Sequence, residues 1–171
     1  MMEVEPDEIK RRIQNFNSVM KQAGLKNTPQ RLQIFREVAR TIGHPDAVTI
    51  WKAVQEAMPN VSLDTIYRTL WLFIDLGLIS SLKPAYERMR FDANSSPHHH
   101  FRCTKCDTVQ DFYSKECDRL PIPDSVKTMG RVIQTHVQLS GICLNCLKES
   151  ITGHSPLRDK EQEQGKGNED E

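Results

Sequence analysis

Ser62-Leu63-Asp64-Thr65-Ile66-Tyr67-Arg68-Thr69-Leu70 has the layout of a helix that starts at a serine cap and turns a polar face outward. A serine hydroxyl in that position accepts a hydrogen bond from a free backbone N–H of the first turn. The helix is predicted to run to about Leu76, where Gly77 stops it. Its polar face offers Ser62, Thr65, Arg68 and Thr69 close to the helix N-terminus, where a recognition helix meets base edges and phosphates. The same pattern fits an ordinary amphipathic helix whose Tyr67 and Arg68 border a core. The flanking segments bear on that choice.

Upstream, EIKRRIQNFNSVMKQA (residues 8–23) sets Ile9, Ile13, Phe16 and Met20 on one stripe and predicts a helix stopped by Gly24. Thr28-Pro29 opens a second helix, with Thr28 as cap and Pro29 in the first turn, and an apolar face of Leu32, Ile34, Phe35 and Val38. His44-Pro45-Asp46 breaks the chain, and Asp46 caps a third helix carrying Ile50, Trp51 and Val54. Downstream, residues 78–82 and 87–92 read as two strands joined around Pro84. Helices followed by a β-hairpin are the order of a winged helix.

Asn94-Ser95-Ser96-Pro97 has the composition of a hinge. Beyond it, strands are predicted over 98–103, 108–112 and 131–140, with a short helix near 122–129. In the last strand Ile133, Thr135, Val137 and Leu139 alternate with Gln134, His136, Gln138 and Ser140, the period of a half-buried strand. From Gly153 the chain is polar and charged and is expected to be disordered. The predicted class is α+β: a winged helix-turn-helix domain (1–92), a hinge (93–97), a small α/β domain (98–152) and an acidic tail (153–171).

At 171 residues and 37% hydrophobic content the chain can build two small cores, each thin. Small domains often compensate with a structural metal or with oligomerisation. The 23 basic and 23 acidic residues cancel, but unevenly. Residues 10–90 hold 13 Lys and Arg against 6 Asp and Glu, whereas the tail after Gly153 holds 3 against 6. A basic front half on a neutral chain suggests a polyanionic partner. No stretch reads as a membrane span or a secretory signal, since the first dozen residues are acidic and then basic rather than apolar.

Of the five cysteines, Cys103-x-x-Cys106 and Cys143-x-x-Cys146 have the gap of a thiolate metal knuckle, which argues for zinc and a cytoplasmic location rather than disulfides. Together they can give four thiolates to one tetrahedral ion with no open position, a structural role. Two unrelated redox or buried pairs remain the alternative. Cys117 is left over as a free thiol. A second constellation is His98-His99-His100, with Asp92 upstream and Asp111 downstream. Alternate strand residues share a face, so His98 and His100 can reach one ion while His99 points away. Imidazole and carboxylate together suit Fe(II), Mn(II) or Zn(II), although a histidine run is also compatible with an unspecific metal tract or a solvated turn.

Taken together, the chain over roughly residues 10–150 resembles the ferric-uptake-regulator superfamily of bacterial metalloregulators. The resemblance is carried by Ala23-Gly24-Leu25-Lys26-Asn27-Thr28-Pro29-Gln30-Arg31, the Thr65-Ile66-Tyr67-Arg68 core of the Ser62–Leu70 segment, His98-x-His100-x-x-Cys103-x-x-Cys106 and Cys143-x-x-Cys146. It implies a homodimer that binds double-stranded operator DNA through the front domain, with the second domain dimerising. It places Lys26 at a minor groove and Tyr67 and Arg68 on bases and backbone, with Thr28, Gln30, Arg31, Ser62 and Thr65 beside them. The four paired cysteines match its structural zinc site, and His44, Asp92, His98, His100 and Asp111 match a regulatory Fe(II) or Mn(II) site that joins the domains.

Asp92 directly follows Arg90-Phe91, and position 111 is Asp, where iron-uptake regulators usually carry Glu. Both features look like the peroxide-responsive branch, in which iron-catalysed oxidation of a ligand, here His44 or His98, releases DNA. A further site of the iron regulators is not expected, since Pro97 and Thr135 occupy two of its positions, although His99 and Asp118 suit others. The alternative within the superfamily is an iron- or zinc-responsive regulator of metal uptake. A mononuclear metal hydrolase or oxygenase is disfavoured by a five-ligand set with little room for substrate and no general base nearby.

Overall fold

The computed structural model describes residues 4–82, 89–133 and 135–152. Four helices come first: α1 (Pro6–Gln22), α2 (Pro29–Arg40), α3 (Ala47–Ala57) and α4 (Leu63–Asp75). Their starts are set by the caps the sequence offers. Thr28 Oγ1 accepts from the Arg31 N–H, Asp46 from Thr49 at 2.7 Å and Ser62 from Thr65 at 3.2 Å. Gly24 and Gly77 close α1 and α4 at φ of +67° and +66°, a left-handed turn that side chains with a Cβ resist.

The helices enclose one apolar core. Phe16 of α1 stacks on Phe35 of α2 at 4.6 Å, and Phe73 of α4 meets both edge-on at 5.5 and 5.8 Å. Ile34, Val38, Ile50, Val54, Ile66 and Leu70 fill the space around them. Thr69 also turns inward at 8% exposure, so it does not belong to the polar face predicted for it. Its position is one turn on from Ile66 and Leu70 neighbours it, on the stripe that faces the core.

Strands β1 (Ser80–Leu82) and β2 (Arg90–Asp92) pair antiparallel as a ribbon beside the helices, completing the winged-helix order. The joining residues around Pro84, and the Glu87-Arg88 start predicted for the second strand, lie outside the described residues, as does the 153–171 tail. The second sheet has β3 (His99–Cys103) at its centre, β4 (Val109–Phe112) antiparallel on one side and β5 (Gln138–Gly141) parallel on the other. Gly141 lets this parallel neighbour approach: a Cβ there would meet the Phe101 ring at 3.1 Å. Two single-turn helices, α5 (Lys115–Asp118) and α6 (Asp124–Lys127), lie in the connection, and α7 (Leu144–Thr152) follows β5.

One expectation is corrected here. The predicted strand over 131–140 is a strand only from Gln138. The alternation upstream has no surface to bury against within one chain: Ile133 is 95% exposed and Leu139 49%. Both edges of β3 are already filled, by β4 and β5, and among the described residues, 131–133 have no ladder partner.

Candidate metal centres

His44 is presented by a tight break between α2 and α3. Its backbone lies in the left-handed region at φ +49°, unusual for a residue with a Cβ. Strand β2 holds it there: the Phe91 N–H donates to Pro45 O at 3.1 Å, and the Arg90 guanidinium donates to His44 O at 3.2 Å. The same Arg90 reaches Asp107 at 3.0 Å, beside the Cys103–Cys106 knuckle. The carboxylate that ends β2 is Asp92; His98 comes from the residue just before β3 and His100 from β3 itself. The β3–β4 register sets Asp111 directly opposite His100.

These five side chains converge. Asp92 Oδ2 lies 2.9, 3.7 and 3.8 Å from the Nε2 atoms of His98, His100 and His44. Asp111 Oδ1 lies 2.9, 3.7 and 3.9 Å from those of His44, His100 and His98. The three rings stand nearly perpendicular, His44 to His100 and His98 to His100. All are buried except Asp111, which is one-fifth exposed. Yet Asp92 Oδ2, Asp111 Oδ1 and both ring nitrogens of His44 have no hydrogen-bond partner. Short distances without bonding angles are what atoms aimed at one shared point give. Buried orphan acceptors are costly, and a cation among them removes that cost.

The electrostatics agree. Burial pushes the Asp92 carboxyl up, but the adjacent His100 and His98 imidazoles and the hydrogen bond from the Asn94 N–H outweigh it and hold it well below the carboxylate range. Burial likewise opposes charge on His98, and Asp92 beside it raises the imidazole to about 9. His98 Nδ1 sits 2.7 Å from Ser96 O, which leaves Nε2 as the nitrogen turned toward the centre.

His99 points the other way. It is buried, with Nε2 3.1 Å from Asp118 and Nδ1 accepting from the Val137 N–H at 3.4 Å. Pro97, Asp118 and Thr135 line the pocket on that face. His136, adjacent to Thr135, instead lies toward His100, the rings 6.5 Å apart.

The second cluster is Cys103, Cys106, Cys143 and Cys146, whose sulfurs lie within 4.8 Å of one another. No disulfide links them; Cys106 and Cys143 Sγ are 3.7 Å apart. Backbone N–H groups of Cys143 and Cys106 stabilise the Cys103 thiolate and lower its pKa to about 6. Burial and the neighbouring sulfurs push Cys146 far upward instead. Four adjacent thiols therefore cannot all ionise unless a cation sits among them, and a tetrahedral ion fits the set. Cys117 stands apart in α5.

The remaining predicted residues lie on the helical unit. Lys26, Thr28, Ser62, Tyr67 and Arg68 are exposed, and Gln30, Arg31 and Thr65 half-buried. Arg31 donates to Lys26 O at 2.8 Å, Ser62 and Thr65 hydroxyls meet at 2.9 Å, and Arg68 pairs with Asp64. Two residues with evident structural work were missed: Arg90, which ties β2 to His44, and Asn94, bonded to both carboxylates. The sequence assigns Asn94 only to the hinge.

Comparison with known proteins agrees with this architecture. The ferric uptake regulator family model matches residues 22–139. The peroxide-responsive repressor PerR of Staphylococcus epidermidis is 30% identical over 148 residues, which cover 86% of this chain and 99% of its own. The Helicobacter pylori ferric uptake regulator shares the fold with a TM-score of 0.68, at 22% identity over 86% of this chain and 97% of its own. A zinc-bound manganese uptake regulator superposes with a TM-score of 0.59 at 26% identity, over 75% of this chain and 98% of its own. With the matched segment spanning both the helical unit and the sheet, the chain belongs to the ferric uptake regulator family.

Proposed function

We propose that this chain is a metal-dependent DNA-binding repressor that senses peroxide through iron-catalysed oxidation of a ligating histidine. The observation that carries the reading is the convergence of His44, from the helical unit, with Asp92 at its edge and His98, His100 and Asp111 from the sheet unit. The units are taken as residues 1–92 and 98–152, with 93–97 between them. A divalent cation held by these five side chains ties the units into one orientation. DNA affinity then follows from population: the cation favours the shape whose sites are complete.

The sensing step falls to the imidazoles. Fe(II) bound there would supply the electrons that cleave peroxide and yield an oxidant able to add oxygen to His44 or His98. An oxidised imidazole has lost its basic nitrogen lone pair or its ring geometry, so it no longer completes the set. His44 is the ligand from the helical unit, and its loss frees that unit to reorient. The name of the staphylococcal relative supports this reading, whereas the manganese and ferric uptake regulators among the structural neighbours favour a second one, a metal-uptake regulator. Mass spectrometry of the Fe(II)-loaded protein after brief peroxide exposure separates the two: oxygen on His44 or His98 peptides is expected, and unmodified histidines support the uptake regulator.

The four cysteines are proposed to hold structural Zn(II). A homodimer is proposed because the sheet unit leaves Val132, Ile133, Leu139 and Ile142 exposed and β5 as an edge strand, features a second copy can cover. Among the described residues no helix is long and apolar enough to cross a membrane. The cytoplasm is the proposed location, consistent with free thiols at the knuckles.

Operator DNA is proposed to meet Lys26, Thr28, Gln30, Arg31, Ser62, Thr65, Tyr67 and Arg68. Arg68→Ala and Lys26→Ala are each expected to weaken operator binding and to flatten its salt dependence by about one log unit per log unit of salt for each lost phosphate contact. Tyr67→Ala is expected to erode discrimination between operator and random DNA more than it weakens nonspecific binding. Fluorescence anisotropy titrations at several salt concentrations with Mn(II) check all three. Unchanged slopes in both charge variants would move the interface elsewhere.

A further inference from the structure

Asn94, in the hinge, engages both carboxylates of the His/Asp centre through its backbone N–H and its side-chain amide. Its backbone N–H donates to Asp92 Oδ1 at 2.7 Å. Its side-chain amide Nδ2 donates to Asp111 Oδ2 at 3.0 Å and to Tyr113 Oη at 2.9 Å. Its Oδ1 accepts from the Ser96 N–H at 3.2 Å, which closes the turn. Each carboxylate thus has one oxygen tied to Asn94. The other oxygen, Asp92 Oδ2 or Asp111 Oδ1, has no hydrogen-bond partner and faces the three imidazoles.

We propose that Asn94 is the positioning residue of the centre, holding Asp92 and Asp111 so that each offers a cation a single oxygen. A carboxylate free to rotate can bind through either oxygen or both. A hydrogen bond on one oxygen removes that freedom and fixes which lone pairs face the ion, as outer partners of metal ligands do. One residue doing this for ligands on two different strands also couples the hinge conformation to the completeness of the site. The inference rests on the reading of this centre as a divalent-cation site.

The test uses the full-length, zinc-replete protein with Mn(II) and Co(II) alone as probes. Asn94→Ala removes the arm to Asp111 but keeps the backbone bond to Asp92, and Asn94→Ser does the same while retaining a turn-favouring polar residue. Both are expected to weaken Mn(II) binding about ten- to a hundredfold. Both should also alter the visible absorption of bound Co(II), which reports coordination number, while zinc content and melting temperature stay as in the wild type. Asp111→Ala is expected to weaken Mn(II) binding at least as much, and adding Asn94→Ala to it should cost nothing further, because the two act through one bond.

Wild-type Mn(II) affinity and Co(II) spectrum in the folded Asn94 variant, with Asp111→Ala still weakening Mn(II) binding, would overturn the role of Asn94. Additive losses in the double variant would overturn it too. Intact cation binding in Asp111→Ala would instead sink the reading of the centre itself.

Discussion

Cys143→Ser is expected to yield a protein without tightly bound zinc, without a stable dimer and with much of its sheet unit unfolded. The reason lies in what that unit has for a core. Among the described residues beyond Asn94, the buried apolar side chains are Cys103, Val109 and Cys146, so two of the three are knuckle thiols. Cys143 anchors the start of α7, and its N–H donates to Cys103 Sγ at 3.3 Å. The two knuckles join the turn after β3 to the segment after β5. Structural zinc of this kind contributes about 10–16 kcal/mol to folding, as much as a whole small domain usually has in hand. Metal analysis, sedimentation and far-ultraviolet circular dichroism check this, with Cys117→Ser as the comparison expected to behave like the wild type. A zinc-free Cys143→Ser dimer of normal helicity would remove the four-thiolate site from the account of stability.

The same thin core explains which parts of the fold were legible in the sequence. Helix starts were readable because their signals are local: Thr28, Asp46 and Ser62 each bond an N–H three residues on. The apolar stripes of α1 to α3 point into a core made by the chain itself, so periodicity found them. Upstream of Gln138 periodicity misled, because alternation states that one face wants burial but not what covers it, and among the described residues nothing buries Ile133 or Leu139. Helix α7 is absent from the sequence expectations, where Cys143 and Cys146 at its start carry only their metal spacing.

The sites divide in a similar way. Knuckle spacing and the two-residue period of β3 gave the cysteines, His98 and His100 directly. His44 came only from the family resemblance, since its approach depends on a left-handed turn and on Arg90, neither of which leaves a periodic trace. Asn94 was invisible for the opposite reason. Asparagine in a hinge already has a sufficient local explanation, and the second use of its amide appears only when β4 brings Asp111 within reach.

Asp111→Glu is expected to keep metal-dependent operator binding and to slow histidine oxidation about tenfold or more, a rise of at least 1.4 kcal/mol in the barrier. Asp111 reaches the centre from β4 with one oxygen, the other being bonded by Asn94. One more methylene on a backbone fixed by the His100–Asp111 register carries the carboxyl past that bond and deeper among the imidazoles. There both oxygens can bind the cation, which occupies room that peroxide needs while leaving the tie between the two units intact. Binding and sensing should therefore separate in this variant. Both proteins are loaded with Fe(II), treated with the same low peroxide concentration, and followed for oxygen on His44 and His98 peptides and for release of operator DNA. Equal oxidation rates would show that carboxylate length does not control access. A wild-type protein that keeps its histidines and stays on DNA would favour the metal-uptake regulator. Mn(II) supplies the internal control: it is expected to support operator binding in both proteins and, being far less readily oxidised by peroxide, to leave the histidines of both unmodified.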